Sequence, residues 1–274
     1  MKDRVTLTLD SDILEKIDNR VDGVKIKNRS HAVELLLMRA LSSNRLRKAI
    51  ILAAGSKSEY IEPLSMRQVL GKPILQWNIE LLKRHGVKEF MICMSENASA
   101  IREYLGNGEK FGIKVFYSEQ EYPLGTAGSL KKVSDFITET VLVCNADDLK
   151  NINLDEMYEF HKDANKTCTI ALTTTDDPSH YGVALMNGNK IITFIEKPSK
   201  ENSPSNLINS GLYIIEPEVL KHIPEGYSVT EVDVFPKLAN QDKLYGYIFS
   251  GQWFPTKTEE LYNLATENWK GISE

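Results

Sequence analysis

From Ala49 onward, short apolar runs alternate with longer amphipathic stretches, in the order AIILAA, PILQWNIELLKRHG, KEFMICM, ASAIREYLGNG and IKVFYSE. The longer stretches repeat apolar residues every three or four positions, the period of a helix packed on one side. Strand and helix in alternation demand a sheet with parallel neighbours, because parallel strands need a crossover and cannot be joined by a tight turn. The predicted fold class is α/β, a doubly wound arrangement whose ligand lies beyond the carboxyl ends of the strands. The first run leads straight into AAGS, which puts Ala53, Ala54 and Gly55 where backbone amides approach a phosphate. A single glycine at that place equally suits any sharp strand-to-helix turn.

The first 48 residues differ in charge. They hold eleven Lys or Arg against seven Asp or Glu, a balance of +4 in a chain of net charge −5, so the remainder carries −9. A basic head on an acidic body implies two parts with different partners, the head being the one that tolerates a polyanion. Val5, Leu7 and Leu9 alternate with Arg4, Thr6 and Thr8, the period of a strand with one apolar face. Ser11 or Asp10 caps a helix with Ile13, Leu14, Ile17 and Val21 on one side, ended by Gly23. Ser30 caps a second helix with Val33, Leu36, Leu37, Ala40 and Leu41. A unit this small cannot bury those faces alone and needs a second copy.

This order of strand, helix and helix over residues 3–41 resembles the ribbon-helix-helix family of DNA-binding dimers. The resemblance implies that Arg4, Thr6 and Thr8 read base edges and that Asn28, Arg29 and Ser30, at a helix start, hold a backbone phosphate. The competing reading is a dimerisation arm whose polar strand face meets only water. Residues 1–43 are read as this domain, 44–48 as a linker and 49–274 as the body.

The 274 residues, 42% of them hydrophobic, suffice for a substantial core. No apolar run approaches the ~20 residues that span a bilayer, and the amino terminus lacks a signal-peptide pattern, so no membrane partner and a cytoplasmic location are expected. Cys93, Cys144 and Cys168 sit inside apolar segments, and the five histidines form no HxxxH or HExxH pair, which argues against a zinc site or a histidine triad.

A further series runs through the body: QEYPLGTAGSL, VLVCNADDL, YGVALMNGNKIITFIEKPS, NLINSGLYIIEP and VFPKLANQDKLYGYIFSGQWF. In this order, across residues 49–266, it resembles the sugar-1-phosphate nucleotidyltransferase family, pyrophosphorylases that make nucleoside-diphosphate sugars. The resemblance implies a Rossmann-like, glycosyltransferase-A-like mixed sheet. It implies that Gln120 bonds the nucleobase, with Gly125, Thr126 and Ala127 passing beneath base and ribose. Asp147 would bind magnesium, with Asp148 its helix-side neighbour. Gly182, beside Tyr181, would contact the sugar, Glu196 would hold sugar hydroxyls, Lys197 the sugar phosphate, and Asn209 and Gly211 would complete that subsite.

Three departures matter, one of them being that the family's PKP-type lysine ahead of Gly71-Lys72-Pro73 is replaced by the run Ser65-Met66-Arg67-Gln68. The family loop reads like LAGGxGTRLxPLT, whereas this chain has LAAGSKSEYIEPLS, with Glu59 and no arginine. The family's WxDIGT segment, whose aspartate is a second magnesium ligand, is WFPTKT here, with Pro255 in place of the acid. The Mg2+ site is expected to be weakened and catalysis lost, so no catalytic residue is assigned. The leading expectation is a DNA-binding transcriptional regulator, a homodimer or higher even-numbered oligomer on double-stranded DNA, whose body holds a nucleotide, sugar nucleotide or sugar phosphate. The alternative is an active nucleotidyltransferase dimerised by its head, with Lys57, Arg67 or Asp148 replacing the missing groups.

Overall fold

Alternation within the central strands sets the layering. In the computed structural model, which describes residues 5–41, 46–53, 63–95, 98–163 and 166–272, the strands β1 (Lys48–Leu52), β2 (Glu89–Ser95), β3 (Lys114–Gln120) and β4 (Val141–Asn145) are all parallel. Ile51, Leu142 and Cys144 enter one core and Ile50, Val141 and Val143 the other, all with no solvent exposure. Both faces of the sheet are therefore covered here, which is why β1 and β4 carry apolar residues at successive positions, Ala49 to Leu52 and Val141 to Cys144. The first core is closed by helices α3 (Ile74–Arg84), α4 (Ser99–Leu105) and α6 (Leu154–Lys162), through Leu75, Ile79, Ile101, Leu105, Leu154 and Met157. The second is closed by α5 (Gly125–Lys132) and α7 (Phe235–Asn240), through Ala127, Leu130, Phe235 and Leu238.

The sheet continues through β5 (Cys168–Thr174), β6 (Gly182–Asn187), β7 (Lys190–Glu196), β8 (Leu207–Ile215) and β9 (Leu244–Ile248), in the order β3-β2-β1-β4-β8-β5-β9-β7-β6. β8 runs antiparallel to both β4 and β5, so the sheet is mixed. Its register with β5 shifts between Asn209 and Tyr213, where Gly211 adopts φ +72°. A short ribbon pairs Asp148–Lys150 with Trp253–Pro255. Helix α8 (Glu259–Asn268) follows, capped by Thr258, whose Oγ1 accepts the Leu261 N–H at 3.3 Å. Among the described residues no helix is long and apolar enough to cross a membrane.

The chain divides into two compact units, Met1–Arg45 and Leu46–Glu274. In the first, α1 (Ser11–Asp18) and α2 (Arg29–Leu41) are tied by a bidentate contact from Arg29 to Asp18 at 2.6 and 2.5 Å. Asp22 Oδ1 accepts from the amides of Val24, Lys25 and Ile26, each at 2.8 Å, which folds the connecting loop. Asp10 precedes α1 and accepts from Ile13 and Leu14 through its carbonyl.

One expectation is corrected in this unit, and a second, a strand paired between two copies, is one that a single copy does not test. The cap of α2 is Asn28 rather than Ser30, because Asn28 stands just before the first helical residue and its Oδ1 reaches the His31 N–H at 2.9 Å. Residues 5–10 form no strand, since a lone extended segment has no ladder partner within its own unit. Thr6 and Thr8 are exposed there, and Arg4 lies outside the described residues.

Ile51 is fully buried between β2 and β4 in the first core. Ile51→Ala is expected to cost about 2–5 kcal/mol of the body's stability, read from guanidinium denaturation.

Candidate functional site

The order of parallel strands reverses at β1, whose neighbours are β2 and β4, and in open sheets of this kind ligands bind beyond the carboxyl ends of the strands at such a point. Ala53 and Asp147 lie just past those ends, and the Ala146 N–H donates to the Leu52 carbonyl at 3.2 Å, holding the two chain exits together. Ala54, Gly55 and Lys57 lie outside the described residues.

Beneath Asp147 is a buried ion pair that sequence reasoning missed. Lys150, with no side-chain exposure, contacts the Asp148 carboxylate and also donates to Asn78 Oδ1 at 3.3 Å. Its further acceptors are Cys144 Sγ at 3.4 Å and the Asn145 carbonyl at 3.5 Å. Burial pushes the Asp148 carboxyl up to about 6, against the attraction of Lys150. Asp148 is thus a buried strand residue locked from below, not a helix-side neighbour, and is not available to replace a phosphate or metal contact. A Cβ on Gly211 would come within 2.6 Å of Asn145 Nδ2 and 2.8 Å of Asp148 Oδ2, so the bulge in β8 packs directly onto this pair.

At the other end of the site, Gln120 is buried at the end of β3. Its Nε2 donates to Ser129 Oγ at 2.7 Å, and Ser129 Oγ in turn donates to the Gly125 carbonyl at 2.7 Å. That chain of donors fixes which end of the amide is which. Gln120 Oε1 is left as a buried acceptor with no partner. Gly125, at φ +75°, abuts protein: a Cβ there would sit 2.2 Å from the Ser228 carbonyl. Ala127 is fully buried. Thr126 Oγ1 reaches Glu231 Oε2 at 2.9 Å and lies 2.7 Å from Thr230 Oγ1.

Glu231 is a second residue missed from sequence, although it stands in VTEVDVFP immediately before a quoted motif. It joins the two halves of the cleft. Besides Thr126, it accepts from Tyr213 Oη at 3.0 Å and Asn209 Nδ2 at 3.5 Å, and Asn209 Oδ1 accepts the Gly211 N–H at 2.9 Å.

Glu196 ends β7, with Gly182 of β6 opposite it in register. Burial, and then repulsion from Glu231, hold its carboxyl above the usual glutamate range, and its Oε2 is buried without a partner. Lys197, in the left-handed region at φ 49°, donates its N–H to the Tyr181 carbonyl at 3.0 Å and leaves its side chain 64% exposed, with Nζ 3.9 Å from Glu196. Tyr181 packs edge-on against Trp253 at 5.4 Å between ring centroids. The sequence-predicted sugar residues Gly182, Glu196, Lys197, Asn209 and Gly211 are therefore gathered around the same carboxylates.

Lys257 completes the set and was also missed. Thr256 Oγ1 donates to the Asp147 carbonyl at 2.7 Å, and Pro255 stands opposite Asp148, so the ribbon delivers Lys257 beside Asp147. Lys257 is exposed; attraction by Asp147 above all, then by Asp148, Glu231 and Glu196, raises its pKa, with desolvation opposing. Arg67, by contrast, pairs with Glu259 at 2.7 Å and stacks 3.5 Å from the Tyr262 ring centroid, so it is committed to α8. Among the described residues, no group of three or more His, Cys, Asp or Glu forms a cage for a metal ion.

A family model described as Nucleotidyl transferase matches residues 48–267. The UTP--glucose-1-phosphate uridylyltransferase of Synechocystis sp. is 35% identical over 215 residues, covering 70% of this chain and 55% of that protein. The mannose-1-phosphate guanylyltransferase catalytic subunit beta of Danio rerio is 32% identical over 218 residues, covering 75% and 60%. The chain spans little more than half the length of these relatives. Among solved structures, HddC from Yersinia pseudotuberculosis superposes with a TM-score of 0.71 at 24% identity, covering 82% of this chain and 100% of that one, which shows the fold.

Lys150→Met is expected to destabilise the body by about 3–5 kcal/mol in chemical denaturation, because it strands the Asp148 carboxylate, and Asp148→Asn combined with it should recover most of the loss. Glu196 binds its proton more tightly folded than unfolded, so stability falls as pH rises from the usual glutamate range through its raised value. Glu196→Gln should accordingly raise the melting temperature at neutral pH and flatten its pH dependence, as read by calorimetry.

Proposed function

The chain belongs to the nucleotidyl transferase family, and from that premise we propose that its body is a sugar-1-phosphate nucleotidyltransferase. In this reaction a phosphate oxygen of a sugar 1-phosphate attacks the α-phosphorus of a nucleoside triphosphate. A new P–O bond joins the two, and the bond to pyrophosphate breaks. The protein's part is to position the reactants and to meet negative charge, not to form a covalent intermediate.

The observation that carries this reading is the pair of buried acceptors without partners, Gln120 Oε1 and Glu196 Oε2, at opposite ends of one cleft bridged by Glu231. A buried acceptor left empty costs free energy in the free protein and recovers it when a ligand donor arrives. At Glu196 that donor is a sugar hydroxyl, beside which the exposed Lys197 meets the sugar phosphate. At Gln120 it is a ring N–H of the base. Guanine, uracil and thymine carry such a donor on their pairing edge; adenine and cytosine present an acceptor there.

A second reading concerns the amino-terminal unit. Val5, Leu7, Ile13 and Leu37 are 73%, 53%, 45% and 47% exposed, a set of apolar side chains that a lone copy leaves in water. Pairing with a second copy through residues 5–10 would cover them, and DNA binding by the resulting ribbon through Arg4, Thr6 and Thr8 is the regulatory reading. Light scattering of the full chain, followed by DNA gel shifts, tests both steps. A monomer with no shift ends this reading and leaves the first untouched.

Pyrophosphate release from UTP, GTP, dTTP, ATP and CTP with glucose 1-phosphate or mannose 1-phosphate is the direct test. Turnover is expected with a base bearing a ring N–H, at least about 10-fold above ATP and CTP, and Gln120→Leu should erase that preference. No release from any combination would overturn the enzyme reading.

A further inference from the structure

The family's second metal carboxylate is replaced here by Pro255, and the residues present do not fit a divalent cation held between two acids. The ribbon register puts Pro255 opposite Asp148, whose carboxylate is spent on Lys150. Among the described residues that leaves Asp147 as the acid here whose carboxylate makes no hydrogen bond or ion pair, and Lys257 arrives two residues after the proline. Magnesium binds through carboxylates and substrate phosphates in near-octahedral geometry, and an ammonium beside the remaining acid both repels it and competes for that acid.

On the reading that this cleft takes a sugar nucleotide, we propose that Lys257 replaces the divalent cation as the counter-charge for the ligand's phosphates, so that binding needs no metal. Several observations converge on it. Lys257 is exposed within a cleft that contains Asp147, Asp148, Glu196 and Glu231, yet among the described residues it makes no ion pair within 4.0 Å. Asp147 likewise has no hydrogen bond or ion pair to its carboxylate there, its carbonyl alone being engaged, by Thr256. A cation and an anion that share a site without pairing leave room for a third charged group between partners. Among the described residues, two other lysines of the site are differently placed: Lys150 is sealed beneath Asp148, and Lys197 sits beside Glu196.

The position of Lys257 is fixed from both sides. Upstream, the Trp253–Pro255 ribbon strand and the Thr256 hydroxyl anchor it to the chain around Asp147. Downstream, Thr258 caps α8. The ammonium therefore hangs on a short segment held at both ends. Such anchoring limits the entropy lost when the side chain meets a phosphate. It also distinguishes this group from Arg67, which α8 holds in an ion pair and a ring stack.

Isothermal titration of the full chain with UDP-glucose and GDP-mannose, in EDTA and in excess magnesium, tests the inference. The expected result is binding of at least one of them in EDTA, with less than about 3-fold change on adding magnesium. Lys257→Met should weaken binding in EDTA by about 10- to 100-fold, the loss of a charge-assisted contact, and Lys257→Arg should keep most of it. Binding that appears only with magnesium overturns the inference and leaves the proposed function standing. Unchanged affinity in a folded Lys257→Met variant also overturns it, and if that variant does not fold, the comparison of wild type in EDTA and magnesium still decides. Binding of neither ligand under either condition removes the sugar-nucleotide reading itself, and this inference with it.

Discussion

The contact between Lys150 and Asp148 organises the carboxyl end of the central strand. Two opposite charges out of water are costly unless every donor is met, and here Asn78, Cys144 and the Asn145 carbonyl take what Asp148 does not. Asn78 also donates to the Asp148 carbonyl at 2.9 Å, which pins α3 to the ribbon. Gly211 packs onto that segment from β8, Pro255 pairs with it from the carboxyl-terminal ribbon, and Asp147 is presented one residue outside the seal.

Charge in the cleft is close to balanced by side chains alone. Asp148 and Lys150 cancel, Asp147 faces Lys257, and Glu196 faces Lys197. Glu231 is the carboxylate left over, and it is the most thoroughly bonded, with acceptor positions filled by Thr126, Thr230, Tyr213 and Asn209. The groups that line this place are held by hydrogen bonds and ion pairs of the free protein. The cost is carried by the empty acceptors on Gln120 and Glu196, in keeping with the way binding sites store free energy at the expense of stability.

The amino-terminal unit is built on the opposite economy. Only Ile17 and Ala32 are buried among its described residues, and its internal order rests on polar contacts: Arg29 with Asp18, the Asp22 turn and the Asn28 cap. Those contacts set the shape of two helices and a loop. They do not supply the apolar burial that would make the unit self-sufficient.

The alternation of apolar runs with amphipathic stretches determined the body's parallel core, because parallel strands buried on both faces need helical crossovers, and the ordered motifs singled out Gln120, Asp147, Glu196, Lys197 and Asn209 as candidates. The chain's departures from the family pattern were also legible, as the missing arginine and the proline at 255. What the sequence did not determine is which charged groups the fold brings together near Asp147 and Glu196. Lys150, Glu231 and Lys257 carry no mark in the sequence that sets them apart from the other charged residues. Their roles arise from a ribbon joining residues about a hundred apart and from a bulge in β8, and such long-range pairings leave no periodic trace in either segment. Only the folded chain decides that the lysine after Pro255 comes to rest beside Asp147, because a hydrogen bond between Thr256 and the Asp147 carbonyl sets that distance and no local propensity does.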